Sequence, residues 1–485
     1  EAMLESPLLP EVNGSINGEW RDAATGAVLP VRDPANGELL AEVPDMGAAE
    51  TTEAVEAAQA ALDNGVPPDL ATRSAWLATI ADQLLANQDE FARIITLEQG
   101  KPLKEAAAEV AYAAGFFQFF SGQLKQLESD ALPEPIKNLR WAIHHRPAGV
   151  AALITPWNFP LAMLAKKLAP ALAAGCTVVI KPAELTPLSA IALCHLAERA
   201  GVPPGRVNLV IGQPIPIGAV LCSHPAIRVL SFTGSTEVGK LLLRDTAPHI
   251  KRLALELGGN APFTVFEDAH IEAAADALLL NKFRCAGQTC VCANRIYVQR
   301  KIADEFVTAV VARVSSLRVG HGLTEGTDIG PLINRDGFDK VASHVADALV
   351  QGAQRVCGEE PPRPQQEWGA FYPPAVLTGV GPQMLVTQEE TFGPIVAVAT
   401  FTTEDEAVAQ ANSTPSGLAA YCFTGDAARA ECVAARLKFG HVGLNTGQGP
   451  TPEAPFGGMK QSGFGREGGI EGLWEYCETQ TVVRS

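Results

Sequence analysis

The sequence predicts an α/β protein built from two doubly wound parallel-sheet domains and a small β element belonging to neither. Three observations carry this. From Val150 onward, short apolar runs rich in β-branched residues alternate with helical segments at intervals of roughly 25 residues. After residue 257 a second series of the same kind begins, and two further strand-like stretches fit neither series. Strands that are apolar throughout need helices on both faces, which is the parallel, doubly wound arrangement.

The elements follow in order. Residues 49–124 read as helical, because "AAETTEAVEAAQAALDNG", "RSAWLATIADQLLANQDEFARIITLEQG" and "LKEAAAEVAYAAGFFQFFSGQL" space their apolar residues by three and four. "VAALIT", "TVVIKP", "VNLVIG", "RVLSFTG" and "RLALELGG" are the first strand series. "APFTVFED", "ANRIYVQR", "AVLTGV", "PIVAVATF", "AAYCFTG" and "VGLN" are the second. The outliers are "LRWAIHHRPAG" and the tail "WEYCETQTVV", whose free edges suit pairing with another subunit. The division is then one domain over 1–127 and 148–257, a second over 258–466, and the small element over 128–147 and 467–485. Ligands of doubly wound sheets sit beyond the carboxyl ends of the strands.

Composition narrows the function. Of 485 residues, 47% are hydrophobic and 19% charged, as expected of a well-cored globule. Acidic residues outnumber basic ones 54 to 37, a formal charge of −17, which argues against nucleic acid as a partner. Neither a signal peptide nor a membrane span is readable, so a cytoplasmic protein is expected. Ten scattered cysteines lack the framework of a secreted domain and read as reduced thiols.

Three of those cysteines, Cys285, Cys290 and Cys292, crowd into "KFRCAGQTCVCANR". Their C-x4-C and C-x-C spacings, with no histidine nearby, do not suit zinc, and no metal site is expected. Buried small hydrophobes are the plain alternative. Small polar residues ahead of Cys290 favour a reactive thiol, which needs a base and an oxyanion donor. "LELGGN" supplies a strand-end carboxylate, Glu256, followed by glycines that permit close approach. "TPWNFP" supplies Asn158, whose amide can donate to an oxyanion. Taken singly, Glu256 also reads as an ion-paired strand end and Asn158 as a turn residue.

"ITPWNFPLAMLAKKLAPALAAGCTVVIKPAELTP", "SFTGSTEVGK", "LELGGN", "GQTC", "EETFGPI" and "PFGGMKQSGFGREGG" together resemble the aldehyde dehydrogenase superfamily in order and spacing. The resemblance runs from "INGEW" to the tail and includes the interval from Glu256 to Cys290. It implies an NAD-binding, Rossmann-like domain over 1–127 and 148–257, a catalytic domain over 258–466, and an oligomerisation element serving a homodimer or homotetramer. It also implies oxidation of a small-molecule aldehyde to an acid through a thiohemiacetal and a thioester. Cys290 is then the nucleophile, Glu256 the general base, and Asn158 the oxyanion donor beside the backbone N–H of Cys290.

For the cofactor, the G-x-G-x-x-G fingerprint is absent. "FTGSTEVG" instead follows a strand and opens a helix; Gly234 permits close approach, and Ser235 with the helix N-terminus suits a phosphate. A simple N-cap is the alternative for Ser235. By resemblance, Trp157 and Leu257 border this turn, Lys181 and Glu184 meet the adenosine ribose, and Glu390 and Phe392 meet the nicotinamide ribose and ring. A carboxylate at 184 repels a 2′-phosphate, so NAD is expected over NADP.

Among branches of the family, "KFRCAGQTCVCANR" looks most like the succinate-semialdehyde dehydrogenases. Arg284 matches an arginine that binds the substrate carboxylate there, a task suited to a guanidinium fork. Lys166 stands where that branch has a second arginine, Thr451 near an expected serine, and Phe159 and Phe456 at pocket-wall positions. The expected substrate is an aldehyde with a remote carboxylate, such as succinate semialdehyde. Other readings are a broad aliphatic or aromatic aldehyde dehydrogenase, a coenzyme A-acylating relative, or a structural protein of the same fold. An oxidative link between Cys290 and Cys292 is a further possibility.

Overall fold

The computed structural model describes residues 3–485. The chain forms an eight-stranded sheet, a seven-stranded sheet, a three-stranded sheet and a two-stranded ribbon, with helices between them. Five parallel strands form the heart of the first sheet, in the spatial order Arg252–Glu256, Ile227–Thr233, Val150–Ile154, Thr177–Lys181, Val207–Leu209. Their inward residues are almost wholly buried, as the continuous apolar runs require. From Val150–Ile154 the chain first builds to one side, then returns to place Ile227–Thr233 on the other. The strand order therefore reverses between these two neighbours, and a crevice opens beyond their carboxyl ends.

The amino-terminal helical region resolves into Ala48–Asp63, Leu70–Ala86, Gln88–Gln99 and Leu103–Ser121. Two buried carboxylates fasten it to the sheet's own helices. Glu109 accepts from the N–H groups of Leu161 and Ala162 at 2.9 and 3.1 Å, satisfying the start of the helix Ala162–Ala174. Its other oxygen takes the buried ammonium of Lys101 at 2.5 Å. Glu98 serves the helix Leu188–Arg199 in the same way, accepting from the N–H groups of Leu188 and Ser189 at 2.7 and 2.9 Å. Burial pushes the Glu98 carboxyl up to about 7, against the pull of those hydrogen bonds.

The second sheet runs Gln354–Cys357, Ala375–Thr378, Ile395–Phe401, Ala293–Gln299, Ala261–Val265, Ala419–Phe423, His441–Leu444, all parallel except the first pair. Only Leu257–Asn260 separates the last parallel strand of the first sheet from Ala261–Val265. The segment Gly463–Phe464 crosses back from the second sheet to pair antiparallel with Leu255 and Glu256. The two outlying stretches pair with each other: Arg140–Pro147 lies antiparallel to Cys477–Arg484 over its whole length, with Asp130–Ala131 on its other edge. Strands at Gly14–Ile16 and Glu19–Arg21 extend the first sheet beyond Val207–Leu209, an addition that periodicity did not suggest. No helix among the described residues is long and apolar enough to cross a membrane.

Removing Glu109 strands both the Lys101 charge and two helix N–H groups. Glu109→Ala is expected to cost about 3–5 kcal/mol, read as a fall of about 3–5 °C in thermal midpoint.

Candidate active site

The crevice at the strand-order reversal is a cavity of about 380 Å³. Pro156, Trp157 and Asn158 follow one of its two strands; Thr233, Gly234 and Ser235 close the other. Leu257 and Gly258 reach it from the link between the sheets, and Cys290, Glu390 and Phe392 from the second sheet.

Cys290 is held by an unusual turn. Cys285, Ala286 and Gly287 all have positive φ, at 53°, 56° and 78°, so the chain makes a left-handed turn through two residues that carry a Cβ. Surrounding groups over-determine it. The Cys285 N–H donates to Glu105 at 2.6 Å, and the Gln288 amide donates to the Cys285 carbonyl at 2.9 Å. A Cβ on Gly287 would lie 2.2 Å from the carbonyl oxygen of Gly393. Phe392, on the facing wall, is also left-handed at 60°. Backbone strain of this kind gathers where a site must be held in one shape.

The thiol of Cys290 lies 3.1 Å from Glu256 Oε1. Burial first, and the neighbouring carboxylate second, push this thiol well above its ordinary range, so at rest it is protonated and donates to Glu256. Lys166 pairs with Glu256's other oxygen and approaches Glu467 at 3.7 Å. Burial works against the Lys166 ammonium, but Glu256 and Glu467 more than reverse this and hold its pKa above the usual lysine value. Lys167, next along the same buried helix, binds Glu467 at 3.1 Å and Ser231 Oγ at 2.9 Å. Two lysines inside an otherwise apolar helix are tolerable only because each meets a carboxylate.

This corrects the expectation for Lys166. Its ammonium is 2% exposed, committed to Glu256, and lines neither the crevice nor the cavity around Arg284. Asn158 lines the crevice. One N–H of its amide donates to the Gln288 carbonyl at 3.0 Å, and the second is left for a ligand oxygen.

On the cofactor side, a Cβ at Gly234 would meet the Phe232 ring at 2.4 Å, so the turn requires glycine. The Ser235 hydroxyl caps the helix Thr236–Thr246, accepting from Val238 at 3.2 Å; the simple N-cap describes that side chain, while the helix N-terminus still faces the crevice. Glu390 accepts from the Gly259 N–H at 2.8 Å, and burial raises its carboxyl to about 7. Trp157 and Phe392 meet edge to face, 5.7 Å between centroids. Lys181 and Glu184 pair with each other at 3.3 Å at the end of the strand next to Val150–Ile154, outside the crevice lining.

Arg284 borders a second cavity of about 470 Å³, with Val291 and the loop Asn445–Gly449. Its guanidinium stacks over Phe159 at 5.4 Å, and among the described residues no carboxylate lies within ion-pair distance of it. A surface ion pair, the plain alternative for Arg284, is therefore not what occupies it. Thr451 departs from expectation, its hydroxyl being turned to Glu453 and lining neither cavity. Phe456 is buried beside His441, 5.9 Å between rings. Cys292 faces away from Cys290's partners, its sulfur against the Gly287 carbonyl at 3.3 Å.

The family model described as "Aldehyde dehydrogenase family" matches residues 20–482. The chain belongs to the aldehyde dehydrogenase family. It is 47% identical to the glutarate-semialdehyde dehydrogenase of Pseudomonas aeruginosa over 96% of this chain and 95% of that one. It is equally identical, over the same shares, to the NADP(+) succinate-semialdehyde dehydrogenase of Escherichia coli. The crystal structure of an oxidoreductase from Marinobacter aquaeolei superposes with a TM-score of 0.97 at 54% identity, covering all of both chains.

Sequence reasoning missed part of this aldehyde dehydrogenase's site. Ile333, Asn334, Gly337 and Lys340 form one wall of the crevice, and Glu467 stands behind Glu256. The adjacent lysines in "LAMLAKKLAPALAAG" were the available signal, because an apolar helix that buries two ammonium groups demands carboxylates nearby.

Gly259 tests how tightly the nucleophile is placed, because a Cβ there would lie 2.5 Å from the carbonyl oxygen of Cys290. Gly259→Ala is expected to lower kcat/KM by about a hundredfold, with the circular dichroism spectrum unchanged.

Proposed function

We propose that this protein oxidises an aldehyde bearing a remote anionic group, in the first instance succinate or glutarate semialdehyde, to the corresponding acid with NAD. The observation that carries the substrate class is Arg284, a guanidinium without a carboxylate partner, bordering a cavity one residue from Cys290 through Val291. The relatives named above act on aldehydes with a carboxylate at the far end, in agreement with a cation at that distance.

The chemistry follows from the contacts. The Cys290 thiol adds to the carbonyl carbon while Glu256, already its hydrogen-bond acceptor, takes the proton. Negative charge grows on the former carbonyl oxygen, where the free N–H of Asn158 and the main-chain N–H of Cys290 receive it. One such donor contributes about 10²–10³ in rate in other enzymes. The crevice suits a dinucleotide: it lies at the strand-order reversal, its turn requires Gly234, and a helix N-terminus faces it. When bound there, NAD supplies the acceptor for the hydride that leaves the thiohemiacetal carbon. Once the proton taken from Cys290 has passed from Glu256 to solvent, Glu256 draws a proton from water, which attacks the thioester; the carbon–sulfur bond breaks, Glu256 returns that proton to the departing thiolate, and the acid is released. Lys166 supplies the opposite charge that a buried Glu256 needs, and orients it. A coenzyme A-acylating enzyme has no such need for a base beside the thiol.

Glu184 supports NAD over NADP, because its carboxylate at the strand end accepts from ribose hydroxyls and repels a 2′-phosphate. The exposed edge of Cys477–Arg484 supports assembly as a homodimer or homotetramer. Ten free thiols suit the reducing cytoplasm.

Three variants separate the roles. Cys290→Ala should abolish NADH formation with every aldehyde. Arg284→Met should raise KM for succinate and glutarate semialdehyde by tenfold or more, on the order of one lost charge-assisted contact, and leave butanal unaffected. Lys166→Met should lower kcat for charged and neutral aldehydes alike, with recovery in Lys166→Arg; a KM effect confined to semialdehydes would instead make Lys166 an anchor. For the cofactor, Glu184→Ser should reduce the NAD/NADP ratio of kcat/KM by at least tenfold, measured at fixed aldehyde.

A further inference from the structure

Away from the crevice, a cavity of about 540 Å³ lies between the three-stranded sheet and the first large sheet. Its lining brings together Arg73 from the helix Leu70–Ala86, Arg206 just ahead of the strand Val207–Leu209, and His144, His145 and Arg146 from Arg140–Pro147. Arg206 is only 6% exposed, yet its guanidinium has no hydrogen-bond or ion-pair partner among the described residues. The same holds for the guanidinium of Arg73, which lies over the bare α-carbon of Gly175; a Cβ there would sit 2.4 Å from Arg73 Nη1. Burial, and then the like charge of Arg206, lower the Arg73 pKa, so the two cations lie close enough to repel.

The surroundings do not offset that charge. Of nine buried side-chain nitrogen and oxygen atoms left without a partner among the described residues, three belong to this lining: Arg73 Nε, His144 Nε2 and His145 Nδ1. Glu128 is the lining's carboxylate; it is exposed and pairs with neither arginine. In a chain of net charge −17, such a concentration of unanswered donors is out of keeping with the rest of the molecule. A buried guanidinium without a counter-charge costs several kcal/mol, so a ligand that brings negative charge is favoured there. Arg146 Nε is taken by Gln480 at 3.1 Å and His144 Nδ1 by Ser129, but the two forks of Arg73 and Arg206 alone exceed what the two oxygens of a carboxylate accept. They match the three or four oxygens of a phosphate group.

We propose that this cavity is a binding site for a phosphate-class oxyanion, free or carried by a small metabolite, held between Arg73 and Arg206. None of its residues lines the crevice or the Arg284 cavity, so the site is separate from aldehyde oxidation. The bound anion would tie the small sheet to the large one through the three elements that supply its cations.

The test is calorimetric titration of inorganic phosphate into the native protein saturated with NAD, which occupies the phosphate-binding turn at Gly234. One phosphate per chain is expected, with binding weakened at least tenfold in Arg206→Gln and less in the exposed variant Arg146→Gln, and aldehyde turnover unchanged in both. Tighter binding of glucose 6-phosphate than of phosphate identifies a metabolite as the ligand; the reverse identifies the free ion. The proposal is overturned if sodium chloride at equal ionic strength reproduces the heats, or if both variants bind phosphate as the native protein does. It is also overturned if the native protein binds none while Arg206→Gln changes the oligomeric state, which would assign these cations to an acidic group of a second copy.

Discussion

A buried carboxylate paired with a buried ammonium, beside a thiol, is the constraint around which this molecule is arranged. Glu256 is 3% exposed, and a charge so placed persists only with a counter-charge in contact. Lys166 is that counter-charge, and its own burial is balanced by Glu256 and Glu467 together. The helix that carries Lys166 packs on the strands Val150–Ile154 and Thr177–Lys181 and must reach with that lysine to the end of the strand that carries Glu256. Glu109 fixes where that helix begins, through Leu161 and Ala162. A chain of buried ion pairs and hydrogen bonds thus runs from the amino-terminal helices to the Cys290 thiol.

The nucleophile is held by a different means. Where Glu256 ends a regular strand, Cys290 follows a turn that ordinary residues avoid, with Cys285 and Ala286 both left-handed. Each such residue costs about 1–2 kcal/mol, offset here by the hydrogen bond that the Cys285 N–H donates to Glu105, by the one that Gln288 donates to the Cys285 carbonyl, and by close contact with Gly393.

Much of this was legible in the sequence, for identifiable reasons. Alternating apolar runs and helices gave both parallel sheets, because burial on two faces leaves a continuous imprint. The grouping of Cys290, Glu256 and Asn158 around one crevice was legible because their neighbours, small residues and glycines, suit close approach and little else. Long-range pairings were not. Spacing places Lys166 on a helix eight residues past Asn158, but it says nothing of a carboxylate 90 positions away, and the lysine was read as a substrate anchor. Glu98 and Glu109 satisfy helix starts far along the chain, which local capping patterns do not reveal. The left-handed turn was hidden because two of its three residues, Cys285 and Ala286, are not glycines.

The strand crossing at Gly463–Phe464 has a mechanical consequence. It is laid against Leu255 and Glu256, and a Cβ at Gly463 would lie 2.0 Å from the Leu255 carbonyl oxygen. Ser462 reinforces it, receiving the Leu257 N–H at 2.9 Å and donating to the Gly258 carbonyl at 2.7 Å. The carboxylate's backbone is thereby clamped by a strap rooted in the opposite half of the molecule. Any widening of the cleft would pull on that strap, so the opening of the crevice and the placement of Glu256 are mechanically tied.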